Sequence, residues 1–367
     1  MKNVITSAQK ELENRNLPDV LLMNNGDSVG KENWAQRKKE LIDILSENLF
    51  GYTPEPPEKV YAVEEEANRF KKFGGKTRTE RKKIMFDTPK GEYGFPIEIT
   101  IPENVEKPPV ILFLSIGINY PYPEEEILDR GFALVTVNYK DITPDTVFGD
   151  FTGGLAEMFI GDRERELSEW GLVGLWAYGA SRVMDYLMTR DDINKERIAI
   201  AGHSRLGKTA LWGRAQDPRF YIAYGNNTNY GGCGVIRGHI GEDVPSFMRI
   251  GSYNFFCEKF KSFEGTKHSD LPYDMHFLMA AQAPGLVFVT GATNDGGMDP
   301  LSEFVSLADA SRVYQMLGGK GLVTDGEMPD AGTPLIDGEI GFYVREGTHY
   351  MSREDWNVFM DFFDRNL

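Results

Sequence analysis

Cysteine is almost missing from this 367-residue chain, which has only Cys233 and Cys257. A disulfide framework is excluded, and of the two remaining states, one bridge or two free thiols, free thiols are expected. Neither cysteine has a Cys or His close by in sequence and the five histidines are scattered, so no metal-ligand spacing exists and no metal is expected. No G-x-G-x-x-G follows a strand-like run and no Walker-type loop occurs, so no cofactor is expected. Positive charge is in deficit: the net charge is −16 and the pI near 4.9, which argues against nucleic acid and anionic membranes as partners. No run approaches the ~18–20 apolar residues of a membrane span. Residues 1–6 contain no continuous apolar stretch, which points to a cytoplasmic chain as given, or to one whose export signal has been removed.

Glycine and aromatic residues are plentiful, at 39 glycines and 12% aromatics. That suits tight turns and a sugar-like or aromatic binding surface, and equally an ordinary large globular protein. The length fits one α/β catalytic domain, residues 59–367, with a helical arm, residues 1–58, packed on it. Residues 1–50 read as helical, above all 34–45, where Trp34, Leu41, Ile44 and Leu45 share a face. Pro54, Pro56 and Pro57 end the arm.

Runs rich in β-formers at 77–86 and 97–101 predict antiparallel opening strands. Continuous apolar runs at 110–114 and 133–137 predict parallel strands buried on both faces, with a short helix over 124–130 between them. Residues 139–159 are glycine-rich without periodicity and read as a functional loop, and 169–190 as a long amphipathic helix. Further strands are expected at 198–201, 221–225, 286–290 and 340–345, and helices at 301–317 and 353–363. This alternation implies right-handed crossovers and a mostly parallel central sheet with helices on both faces.

The chain is organised around R-I-A-I-A-G-H-S-R-L-G-K-T-A-L, Arg197 through Leu211. It reads as a strand, a sharp turn with Ser204 at its tip, and a helix. The nucleophile elbow of the α/β-hydrolase fold needs this arrangement, because a serine hydroxyl attacks only when it stands clear of the sheet beside a base and backbone N–H donors. In the usual G-x-S-x-G the second glycine stands where Leu206 stands here, and Gly207 comes one place late. A plain turn serine is the alternative.

A triad on this fold runs Ser, acid, His along the chain, with the last two on loops after late strands. Ser204, Asp295 and His349 have that order and placement. His203 should point away from the turn tip, His239 and His268 lie in polar loops, and His276 sits in an apolar helical run as a structural histidine; for His349 the bland alternative is a solvated loop residue. Asp299 competes with Asp295 for the acid role, or caps the helix that begins at Pro300. Arg205 could join the oxyanion hole and Lys208 could face an anionic or polar substrate, with surface salt bridges as the alternative for both.

The string G-H-S-R-L-G-K-T-A-L-W (202–212), followed by A-Q-D-P-R-F (215–220), resembles the elbow of carbohydrate esterase family 15, the glucuronoyl esterases, in its bacterial form. The late glycine is normal there. The likeness extends to W-A-Y-G-A-S-R (176–182), M-D-Y-L (184–187), Gly241-Glu242, D-M-H (274–276) and Ala283-Pro284, and covers roughly residues 105–365. It implies a serine esterase of the α/β-hydrolase fold that cleaves esters of 4-O-methyl-glucuronic acid linking xylan to lignin. In it Ser204 is the nucleophile, His349 the base and Arg205 the oxyanion-stabilising arginine, with Lys208 and Glu242 on the substrate side. Two departures stand out. Some members carry the acid as a Glu in a segment that here, at 225–230, has no carboxylate, which returns the role to Asp295. Many have a sugar-contacting Trp in a segment that here, at 252–257, has none, so glucuronoyl esters are less secure than esterase activity. An acetyl xylan esterase and an inactive sugar-binding protein are the rival readings.

Overall fold

The computed structural model describes residues 7–117, 120–145 and 150–367, without the side chains of 66–70. Residues 1–6, on which the export question turns, lie outside this set. Nine strands form one sheet: β1 (Val60–Phe70), β2 (Thr77–Thr88), β3 (Gly91–Pro102), β4 (Val110–Ser115), β5 (Ala133–Asn138), β6 (Ile198–His203), β7 (Ile222–Asn226), β8 (Leu286–Ala292) and β9 (Ile340–Arg345). Their order is β1-β2-β3-β5-β4-β6-β7-β8-β9. β1, β2, β3 and β5 pair antiparallel, and every pairing from β5 to β9 is parallel.

The helices are α1 (Ser7–Arg15), α2 (Trp34–Leu45), α3 (Glu124–Asp129), α4 (Tyr139–Ile142), α5 (Gly154–Phe159), α6 (Leu172–Leu187), α7 (Arg205–Gln216), α8 (Val244–Ile250), α9 (His276–Ala280), α10 (Pro300–Leu317) and α11 (Arg353–Arg365). Alternation along β4 shows how the layers form. Val110, Leu112 and Leu114 join the core with Trp176 and Leu211 of α6 and α7, while Ile111 and Phe113 point the other way to Trp356 and Phe359 of α11. A strand buried on both sides must be apolar at every position, as the continuous runs predicted.

The expected strands and the helices at 34–45, 124–130, 301–317 and 353–363 appear with ends shifted by two residues at most, except that the strand expected at 97–101 begins earlier, at Gly91. Three expectations need correction. Residues 16–33 are turns and bends rather than helix, so the described part of residues 1–58 holds two separate α-helices, the second running into a π-helix at Ser46–Phe50; α2 buries Trp34, Leu41 and Leu45 and leaves Ile44 half-buried. The expected loop at 139–159 contains α4 and α5; Asn138 caps the first by accepting from Lys140 N, and residues 146–149 of that stretch lie outside the described set. The helix expected over 169–190 is only Leu172–Leu187. Gly171 N donates to Phe50 O at 3.1 Å in an extended conformation, and a Cβ there would stand 2.4 Å from Phe255 O, so this close approach stops the helix at its start.

Candidate active site

β6 runs into Ser204 and α7 leaves it. Ser204 has φ 57° and ψ −125°, a conformation costly for any residue with a side chain, at ~1–3 kcal/mol. Neighbouring hydrogen bonds hold it: Ser204 N donates to Asn226 O at 2.8 Å, and Lys208 N to Ser204 O at 3.0 Å. The glycines explain the unusual spacing. A Cβ on Gly202 would lie 2.3 Å from Leu206 O, and one on Gly207 would lie 2.6 Å from Thr228 Cγ2 and 3.0 Å from Gly202 O. Close approach therefore falls at 207, while Leu206 packs into the core.

On one flank, His349 Nδ1 lies 2.6 Å from Asp295 Oδ2. That same oxygen accepts from Asn227 Nδ2 at 2.7 Å, and Asp295 Oδ1 from Gly297 N at 3.3 Å. Burial pushes the Asp295 carboxyl up, but hydrogen bonding and charge from His349, with Asn227 and Gly297 assisting, hold it below the usual carboxylate range. The His349 side chain is 40% exposed. His203 is buried, with its ring centroid 4.5 Å from that of His349 and Nδ1 2.5 Å from Asn226 Oδ1. Burial first, and then the neighbouring His349, push His203 down to about 4, so it stays neutral near pH 7 beside the second imidazole. Asp299 does something different. It is the N-cap of α10, accepting from Ser302 N at 3.2 Å, and also accepts from Ile240 N at 3.1 Å.

On the other flank, Arg205 pairs with Asp145 and lies 4.9 Å over the Phe255 ring. Asp145 also accepts from Tyr139 Oη at 3.0 Å. Lys208 is only 1% exposed, and its Nζ donates to Glu242 Oε2 at 2.7 Å and Thr228 O at 2.5 Å. Lys208 is thus a buried cation whose partner Glu242 is half-buried, rather than one arm of a surface salt bridge. In 252–257, Phe255 and Phe256 are buried and pack with Phe247.

His276 is buried with Nε2 2.8 Å from Pro18 O, a structural role, and Cys233 and Cys257 are free and buried. His239 stands 2.5 Å from the carbonyls of Ile236 and Glu242, and His268 lies beside it; neither is among the partners of Asp295. Sequence reasoning missed Asp145 and Asn227. Asp145 sits in an aperiodic glycine-rich stretch and Asn227 in an asparagine-rich turn, and neither carries a local signal of its distant partner.

The profile of the family described as glucuronyl esterase, fungi, matches residues 86–318. A carbohydrate esterase of an unknown prokaryotic organism is 28% identical over 96% of this chain and 89% of its own. A 4-O-methyl-glucuronoyl methylesterase of Wolfiporia cocos is 26% identical over 83% of this chain and 73% of its own. The solved glucuronoyl esterase from Solibacter usitatus superposes with a TM-score of 0.85 at 29% identity, covering 95% of this chain and 97% of that one. With its α/β-hydrolase sheet and strained serine elbow, the chain belongs to the glucuronoyl esterase family.

Proposed function

We propose that the protein hydrolyses glucuronoyl esters, 4-O-methyl-glucuronate or closely related uronates of plant cell-wall polysaccharide, through an acyl-enzyme. The observation that carries this is the contact of 2.6 Å between His349 Nδ1 and Asp295 Oδ2, with the His349 ring 4.5 Å from that of His203, the residue before a serine held at positive φ. Ser204 Oγ attacks the ester carbonyl carbon and its proton passes to His349 Nε2, while Asp295 holds Nδ1–H and steadies the imidazolium. Arg205 and backbone N–H groups stabilise the oxyanion. Collapse breaks the bond to the alcohol, which leaves with the proton from His349; water then repeats the sequence, releasing the uronic acid and regenerating Ser204. Lys208 and Glu242 supply a fixed donor and acceptor for sugar hydroxyls. The names carried by relatives, 4-O-methyl-glucuronoyl methylesterase among them, support this substrate class. The partner is a carbohydrate ester, and a net charge of −16 works against nucleic acid or an anionic membrane.

The buried Phe255 and Phe256, in a segment without Trp, favour one rival within the class, an acetyl xylan esterase with a reshaped sugar pocket. Hydrolysis of methyl glucuronate, methyl galacturonate and acetylated xylan, with Ser204→Ala as control, decides between them. Preference for the acetyl ester would overturn the uronate reading. Failure of a fluorophosphonate probe to label Ser204 would leave only a sugar-binding role.

A further inference from the structure

Behind the site lies a buried carboxylate with no part in the proton path. Glu303, on α10, is fully buried; its Oε1 accepts from Thr228 N at 3.2 Å, Thr228 Oγ1 at 3.3 Å and Asn229 N at 3.1 Å. Its Oε2 has no hydrogen-bond partner among the described residues. Asn227 and Asn229 take φ values of 49° and 35°. Successive N–H groups in such a turn converge into a nest that binds anions, and here the protein's own carboxylate fills it.

Each residue of this turn is buried and sends one group toward the site. Asn227 Nδ2 donates to Asp295 Oδ2 at 2.7 Å, Thr228 O accepts from Lys208 Nζ at 2.5 Å, and Asn229 Nδ2 donates to Gly297 O, in the Asp295 loop, at 2.8 Å. One turn therefore touches both flanks of Ser204, and one carboxylate holds it from below.

We propose that Glu303 is a positioning residue: by filling the nest of residues 227–229 it sets the placement of Asp295 relative to Lys208. It touches neither substrate nor reacting atoms, and the inference rests on the esterase reading of the site. Burial pushes the Glu303 carboxyl up to about 7 against the pull of the Asn229 and Thr228 N–H groups, with Asp299 adding to the rise. The other titratable or charged groups near it are the Cys233 thiol, whose Sγ contacts Glu303 O at 3.5 Å, Lys208 beyond Thr228 and Asp295 beyond Asn227. A carboxyl raised in the folded state binds protons more tightly there than when unfolded. Its contribution to stability is complete below the ordinary Glu value and is lost as pH rises through about 7.

Glu303→Gln keeps the acceptor and the shape without the titration, whereas Glu303→Leu removes the acceptor. In the leucine variant, kcat/KM for methyl glucuronate per folded molecule falls about a hundredfold, and amide exchange at Thr228 and Asn229 accelerates. The glutamine variant stays within about fivefold of the parent, and the part of the melting-temperature decline between about pH 5 and 8 due to Glu303 disappears. A folded leucine variant with parental kcat/KM and unchanged exchange would overturn the proposal, as would a glutamine variant as damaged as the leucine one. If the leucine variant does not fold, Glu303→Asp, whose carboxylate falls one methylene short of the turn, takes its place, and parental kcat/KM with unchanged amide exchange at Thr228 and Asn229 overturns the proposal. Full turnover by Ser204→Ala would instead sink the esterase reading, while the exchange and melting measurements still decide on Glu303.

Discussion

The two flanks of Ser204 are built from different chemistry. On the His349 flank, Asp295 is held by one imidazole, one side-chain amide and one backbone N–H, and the second imidazole, His203, is kept neutral. On the other, Arg205 and Lys208 each already have a carboxylate, Asp145 and Glu242. On the proposed reading, the first flank moves a proton. The second presents cations whose charge is already compensated, so it suits a neutral ester whose hydroxyls bridge donor and acceptor without displacing an ion pair. A flank that must neutralise a free anion would leave its cations unpaired. On the proposed reading the contrast separates proton transfer, on the first flank, from oxyanion stabilisation by Arg205 and substrate recognition by Lys208 and Glu242, on the second.

Substitutions on each flank should report on different kinetic constants. Ser204→Ala sets the upper limit: kcat for methyl glucuronate falls by about 10⁶, with the melting temperature unchanged. Asp295→Asn should lower kcat by about 10⁴ with KM little altered, because the imidazole loses the carboxylate that fixes its tautomer. A large rise in KM would show that the flanks are not separable. Glu242→Ala acts on the other side. It leaves the buried Lys208 ammonium with Thr228 O and the face of the Phe247 ring but no carboxylate, and should raise KM about tenfold with kcat largely kept; a fall in kcat alone would break the comparison. Gly207→Ala should be mildest, costing about 1–3 kcal/mol in denaturant unfolding through contacts with Thr228 Cγ2, Gly202 O and Asn226 N, and lowering kcat/KM of the folded protein by less than about tenfold through the displaced Thr228 turn.

How far these features were legible in sequence depended on how local they are. The elbow and the apolar strands could be read because a turn between a strand and a helix, and burial on both faces, impose residue types on consecutive positions. Asp299 could be read as a cap because Asp before Pro at a helix start is a local pattern. The helix over 169–190 was overextended because its pattern continues past Gly171, and only the approach of the Phe255 carbonyl shows where it must begin. The short helices α4 and α5 were invisible because a few residues in a glycine-rich stretch have no period to detect.

The late glycine shows the division most clearly. By itself the sequence determined a strand, a serine turn and a helix, the order Ser204, Asp295, His349, and the presence of Arg205 and Lys208, all of which follow from spacing along one chain. Tertiary structure decided that Gly207 must be small because Thr228 comes to it from the turn after β7, that Arg205 and Lys208 are paired, and that Asn227 and Glu303 stand behind the acid. Those contacts join residues far apart in the chain, and the residue types they require, an asparagine in a turn or a glutamate on a helix, are ordinary until the packing brings them together.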